Sequence, residues 1–180
     1  MKEPIIGNKI ILREPCKEDA EFFAFWYNKP EVMFQCGFTE TTTTEAELAA
    51  ILNPKPDNDC YTITDLDGKI VGETYLLRIN THWHCTDMSM IIPNPHDQGK
   101  GYGMEAGRLM LRRAFEHHKL NRVAIGVVAL NTNAVKYWER LGFKKEGIQE
   151  QGYFYDGQFS DFIMMRILKS EYHFKHYLHD

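Results

Sequence analysis

The chain has 180 residues, 43% hydrophobic and 26% charged, with a formal net charge of −4 at neutral pH. That length suits one domain with a real core, the acidic balance argues against a general nucleic-acid binder, and no apolar run approaches the roughly 20 residues that span a bilayer. The opening MKEPIIGNKI lacks the apolar stretch of a signal peptide. Cys16, Cys36, Cys60 and Cys85 show no CxxC spacing, so reduced thiols in a cytoplasmic protein are expected. In KIILRE (9–14), Ile10 and Leu12 alternate with polar neighbours and predict a strand. KEDAEFFAFWYNKPEV (17–32) predicts one aromatic-rich helix stopped near Pro30. TTTTEAELAAIL (41–52) predicts another, with Thr44 and Glu47 as a capping box. The loop NPKPDND (53–59) ends it.

Three strands follow at 60–65, 70–80 and 85–92, joined by short turns that imply antiparallel pairing. The glycine-rich QGKGYG (98–103) then leads into an amphipathic helix running to about His118. Met104, Gly107, Leu111, Ala114 and His118 form its buried stripe. RVAIGVVAL (122–130) is apolar enough for a central strand. NAVKYWERL (133–141) predicts a short helix closed by Gly142 and Phe143. Strands at 144–155 and 158–168 flank the turn YDGQ, and 171–180 form a polar, aromatic tail. This order predicts a mixed α/β sheet, parallel only across helical crossovers.

Glycine inside a helix costs up to about 1 kcal/mol relative to alanine. Gly99, Gly101 and Gly103 therefore need a reason to stand where a helix begins. A helix N-terminus carries free N–H groups and partial positive charge, and missing Cβ atoms let an anion reach them. Lys100 adds a formal charge. The segment is suited to a phosphate or pyrophosphate, although a connecting loop that binds nothing has the same composition. The spacing is wrong for a dinucleotide fingerprint, and the Lys-Ser/Thr of a P-loop is absent.

Gln98-Gly99-Lys100-Gly101-Tyr102-Gly103 resembles the Q/R-x-x-G-x-G/A motif of the GNAT acyltransferases. NTNAVKYWERLGF (131–143) resembles that superfamily's N-x-x-A…GF segment. ILREPCKEDAEFFAFWYNKPEV and EGIQEQGYFYDGQFSDFIMMRILKSEY resemble the opening and closing stretches of its RimJ/RimL-like branch. The resemblance implies a GNAT fold over 1–170, with a mixed, mostly antiparallel sheet of about seven strands, flanking helices, and a tail over 171–180. It implies an N-acetyltransferase that uses acetyl-CoA directly, in a ternary complex and without a metal. Amides of Gln98, Gly99, Lys100, Gly101, Tyr102, Gly103 and Met104 would hold the coenzyme pyrophosphate. Main chain at Met90, Ile91 and Ile92 would pair with the pantetheine arm and polarise the thioester carbonyl. Asn131 would touch that arm, with Asn133 and Lys136 nearby. The acceptor would be a small amine or polyamine, given a loose likeness to spermidine N-acetyltransferases, or a protein N-terminus. Neither nucleic acid nor membrane is implied as a partner, and a homodimer would be ordinary for the branch.

One position departs from the family. Where many relatives carry a tyrosine that protonates the leaving thiolate, this chain has Trp138, whose indole N–H has no useful acidity. Core packing or coenzyme contact is expected of it instead. Tyr137 lies about 100° around the helix and is not expected to substitute. Asp87 and Glu73 are candidate bases for the acceptor amine, and Tyr153 and Tyr155 weaker candidates for thiolate protonation. Glu40, Glu45 and Glu47 cap a helix start or form an acidic rim for a cationic acceptor. The histidines of 82–84 and 173–179 read as solvated surface. The missing tyrosine leaves a second reading, an acyl-CoA-binding sensor without turnover.

Overall fold

The computed structural model describes residues 2–172. Strands β1 (Ile5–Ile6) and β2 (Ile10–Arg13) form the first hairpin. Helices α1 (Asp19–Tyr27), α2 (Pro30–Cys36) and α3 (Thr44–Leu52) follow. A meander of β3 (Asp59–Asp65), β4 (Ile70–Asn80) and β5 (Cys85–Ile91) leads to helix α4 (Tyr102–Arg112). Strand β6 (Arg122–Val128), helix α5 (Thr132–Arg140) and strands β7 (Lys144–Tyr155) and β8 (Gln158–Leu168) complete the described chain.

All strands join one eight-stranded sheet in the order β1-β2-β3-β4-β5-β6-β8-β7. Every pairing is antiparallel except β5 with β6, which α4 connects as a crossover. The extra strand over the expected seven is the two-residue β1.

Strand alternation sorts side chains to two faces. Tyr61 and Ile63 are fully buried and join the cluster of Met110, Leu111 and Ala114 beneath α4. Thr62 between them turns to the other face, where its hydroxyl donates to Asp19 of α1 at 2.6 Å. Asp19 also takes both terminal nitrogens of Arg13, at 2.8 and 2.6 Å, which ties α1 to β2 and β3. On this face Phe23, Tyr27 and Val32 form a second cluster.

Three local expectations are corrected. The aromatic stretch makes two helices, because Pro30 opens α2 at a position that needs no N–H. The cap of α3 is Thr43, which accepts from the Ala46 amide at 3.2 Å, while Glu47 accepts from the Thr42 hydroxyl at 2.7 Å. The long helix changes pitch at a π-helical turn, Arg113–His117, where the His118 amide reaches back to the Arg113 carbonyl. That turn brings both Arg113 and His118 onto the buried carboxylate of Asp59, His118 Nε2 at 2.7 Å. His118 is thus a carboxylate partner and not a member of the apolar stripe. The proposed tail lies largely outside the described residues, as do His173, His176 and His179.

Gly107 is where α4 and α5 meet. A Cβ there would stand 2.5 Å from Leu141 and 2.6 Å from the Tyr137 hydroxyl. Gly107→Ala should therefore destabilise the protein by about 1–3 kcal/mol through overpacking, despite alanine's better helix propensity. Urea unfolding checks this. An unchanged midpoint would mean that the two helices can separate freely.

Candidate functional site

Strands β5 and β6 pair only at Cys85↔Arg122, Thr86↔Val123 and Asp87↔Ala124. Their outer ladders run further, to Glu73↔Ile91 on one side and Val128↔Phe162 on the other. The two strands therefore part after Asp87, and a cleft of about 1130 Å³ opens between them. Beyond the last paired residues, main-chain N–H and C=O groups on the inner edges face the cleft instead of each other. Met88–Ile92 form one wall and Gly126–Val128 the other, with the glycine loop at one end and α5 beside it.

The glycine loop is built for close approach. A short turn, Pro95–Asp97, leads to Gly99 at φ 75° and Gly101 at φ 90°, both left-handed. Gly101 caps α4, and the first helical amide bond there is Glu105 N–H to Gly101 C=O at 3.1 Å. The amides of Tyr102, Gly103 and Met104 precede that bond and have no acceptor within the helix. A Cβ at Gly99 would meet nothing within 4 Å, so space lies open above the loop. An exposed run of amides, a helix N-terminus and a narrow apolar cleft beyond fit a pyrophosphate followed by an extended arm.

Of the residues the resemblance assigns to the coenzyme, Met90, Ile91, Ile92, Gln98, Gly99, Gly101, Gly103, Met104, Asn131, Asn133, Lys136 and Trp138 line the cleft. Lys100 and Tyr102 are not among its walls. The Lys100 ammonium turns to Asp97 at 2.9 Å, and the Tyr102 ring packs against the core. The Asn131 side-chain oxygen accepts from the Ala134 amide at 3.1 Å and so caps α5. Its amide donates to the Gln35 carbonyl of α2 at 3.3 Å.

Trp138 is buried and stands edge-on to Phe143, with ring centroids 5.1 Å apart. It is both core and cleft wall. Tyr137 also borders the cleft, but its hydroxyl is engaged: it donates to the Gly103 carbonyl at 2.8 Å. Burial raises that phenol's pKa. It joins α5 to the start of α4. Trp138→Phe should lower kcat by less than about tenfold, since no proton donor is lost. Loss of a true general acid costs about 100-fold or more. Steady-state rates on a variant with normal coenzyme affinity check this. A fall beyond 100-fold would give Trp138 a direct part in positioning the reactants.

The carboxylate candidates stand apart from the cleft walls. Asp87 lies at the closed end of the splay, where Arg78 Nε donates to it at 2.9 Å. Glu73 is buried one strand in from the cleft wall, directly across from Ile91. The hydroxyls of Tyr27 and Tyr75 donate to its two oxygens. Burial pushes its carboxyl up to about 7; the tyrosine hydrogen bonds oppose that rise, and the charges of Glu47 and Asp19 add to it. Tyr153 donates to the Phe34 carbonyl at 3.2 Å, and Tyr155 packs edge-on against Phe34, so both serve the contact with α2.

Residues 9–144 match the family described as acetyltransferase (GNAT) domain. A spermidine N(1)-acetyltransferase of Vibrio cholerae is 25% identical over 156 residues, covering 83% of this chain and 81% of that protein. One from Escherichia coli K12 is 31% identical over 114 residues, covering 63% of this chain and 61% of that protein. Among solved structures, the Vibrio cholerae spermidine N-acetyltransferase in complex with CoA and spermine superposes with a TM-score of 0.84. That likeness has 24% sequence identity and covers 92% of this chain and 98% of the other, which establishes a shared fold.

Proposed function

The chain belongs to the GNAT acetyltransferase family, and on that premise we propose that it transfers the acetyl group of acetyl-CoA to a primary amine of a polyamine. The observation that carries the reading is the parting of β5 and β6 into a cleft that ends at the glycine-capped start of α4. Acetyl-CoA supplies the thioester. The chain's amides from Gln98 to Met104 bind the pyrophosphate. Main chain at Met90, Ile91 and Ile92 aligns the pantetheine arm and donates toward the thioester carbonyl. Asn131, Asn133 and Lys136 flank that arm.

The acceptor nitrogen must be neutral to attack. In the reaction its lone pair forms the new C–N bond, the C–S bond breaks, and the nitrogen loses a proton. We assign that proton to Glu73, one strand in from the cleft wall, through a tyrosine hydroxyl bonded to it: Tyr27 or Tyr75 takes the amine proton as it passes its own to Glu73, whose raised pKa lets it accept near neutral pH. Glu45 and Glu47 in the first turn of α3 place negative charge on that side of the sheet, which suits a polycation. The names of the relatives agree with that class of acceptor. Among the described residues no helix is long and apolar enough to cross a membrane, and action on cytoplasmic amines is part of this reading.

Release of the CoA thiol in the presence of spermidine, spermine, N-terminal peptides and an aminoglycoside tests the proposal. Polyamine turnover is expected, with kcat/KM falling as salt screens the acidic side. Turnover of peptides alone would transfer the reading to protein N-termini. Coenzyme binding without turnover of any amine would leave a sensor.

A further inference from the structure

The glycine loop is held by a buried carboxylate outside the motif. Asp97 is 2% exposed at its side chain, and two ammonium groups reach it: Lys100 at 2.9 Å and Lys69 at 2.7 Å. Lys69 comes from the β3–β4 turn, is not among the cleft walls that Asp97 itself borders, and is 54% exposed. That turn is fixed in its own right, since Asp65 accepts from the Lys69 amide at 2.9 Å. Lys9 of the first hairpin donates to the Lys100 carbonyl at 3.3 Å, and Gln98 Nε2 donates to the Ile92 carbonyl at 2.8 Å.

We propose that Asp97 and Lys69 are positioning residues for the coenzyme, clamping the glycine loop to the β3–β4 turn so that its amides stay aimed at the pyrophosphate. The loop needs such a clamp. Gly99 and Gly101 have no side chains to anchor it, and both hold left-handed conformations within a chain free to adopt many others. A loop that must be ordered by its ligand binds that ligand more weakly than one already in place. The ion pair is suited to the task because its carboxylate is buried. Opening either contact leaves the buried carboxylate with one cation in place of two, so the cluster resists opening more than an exposed pair would. The formal charge of Lys100 is accordingly spent within the protein. It orders the loop through Asp97 instead of reaching toward the cleft.

The clamp rests on the coenzyme reading above, and its test separates the two. Lys69→Met and Asp97→Asn would be compared with the wild type by acetyl-CoA titration, initial rates, and hydrogen exchange of the 98–104 amides without ligand. Both variants should raise KM for acetyl-CoA by about tenfold, with kcat at saturation falling less than KM rises. Exchange at 98–104 should quicken in both. The double variant should be no worse than the weaker-binding single one, because the two residues act as one element. Lys69 is exposed, so Lys69→Met keeps the test alive if Asp97→Asn fails to fold. Unchanged affinity and unchanged exchange in folded Lys69→Met protein would overturn the clamp while leaving the coenzyme reading intact. Failure of the wild type to bind acetyl-CoA would overturn the coenzyme reading, and the clamp's role with it.

Discussion

Glu73→Gln should lower kcat by about 100- to 10,000-fold at neutral pH, the range expected when a general acid–base group is removed. Glutamine keeps the shape and can still bond both Tyr27 and Tyr75, but it accepts no proton. The wild-type rate should rise with pH through about 7, following ionisation of Glu73, and the variant should lose that rise. Stability should move the opposite way. The carboxyl titrates higher in the folded state than in an unfolded chain, whose ordinary value is 4.5. Its protonated form therefore favours folding below about 4.5, and that contribution is lost as pH climbs through about 7. Above that point the wild type carries a buried charge that the glutamine variant lacks. Glu73→Gln should accordingly be at least as stable as the wild type at pH 8, by thermal or urea unfolding. A stable variant with an unchanged rate and pH profile would remove Glu73 from the reaction.

Gly101→Asp should weaken acetyl-CoA binding by more than about 100-fold, because it sets a carboxylate where the helix N-terminus awaits a phosphate. The built-in anion would compete for the same amides and would lie beside Lys9, whose ammonium stands 3.0 Å from the position of the new Cβ. Two effects need separating. Any side chain at φ 90° is strained, by roughly 1–2 kcal/mol. Aspartate is also a good helix cap, which offsets part of that strain. Gly101→Ala shares the strain and lacks the charge, so it should bind acetyl-CoA far better than the aspartate variant. Calorimetric titration of both folded proteins decides. Equal losses would mean that loop conformation alone sets affinity, and unchanged affinity in both would place the phosphate elsewhere.

Legibility in the sequence followed the range over which the physics acts. The strands at 70–80, 144–155 and 158–168 have the expected bounds, because their β-forming runs end in turns that a short window reveals. Pro30 was ambiguous: the same ring that ends one helix is welcome in the first turn of another. Thr43 could not be told from Thr44 within a run of four threonines, since capping depends on backbone angles and not on residue type. The glycine loop ahead of α4 was readable because its glycines lie at alternate positions in one short stretch. The orientation of Lys100 was not, because it depends on the burial of Asp97 and on Lys69, which comes from another turn. The state of Glu73 depends on Tyr27, which lies 46 residues away in the sequence and becomes its neighbour only when α1 docks on the sheet. Trp138 shows the converse case: its departure from the family pattern was plain, and its dual place in core and cleft followed from the packing.

The short ladder between β5 and β6 also bears on how the molecule comes apart. Three residue pairs are all that join β1–β5 to β6–β8 within the sheet. Each half is local in sequence, the first ending at Ile91 and the second beginning at Arg122. The core beneath α4 draws on both halves, from Ile10 and Ile63 to Ile125 and Ile167, so the seam is one of main-chain pairing and not of packing. A ligand lying in the splay would touch both halves at once. Its binding energy would then appear as linkage between them, raising the protection of strands it never contacts. On the proposed function the cleft doubles as the missing part of the sheet, so occupancy and global cooperativity should rise together.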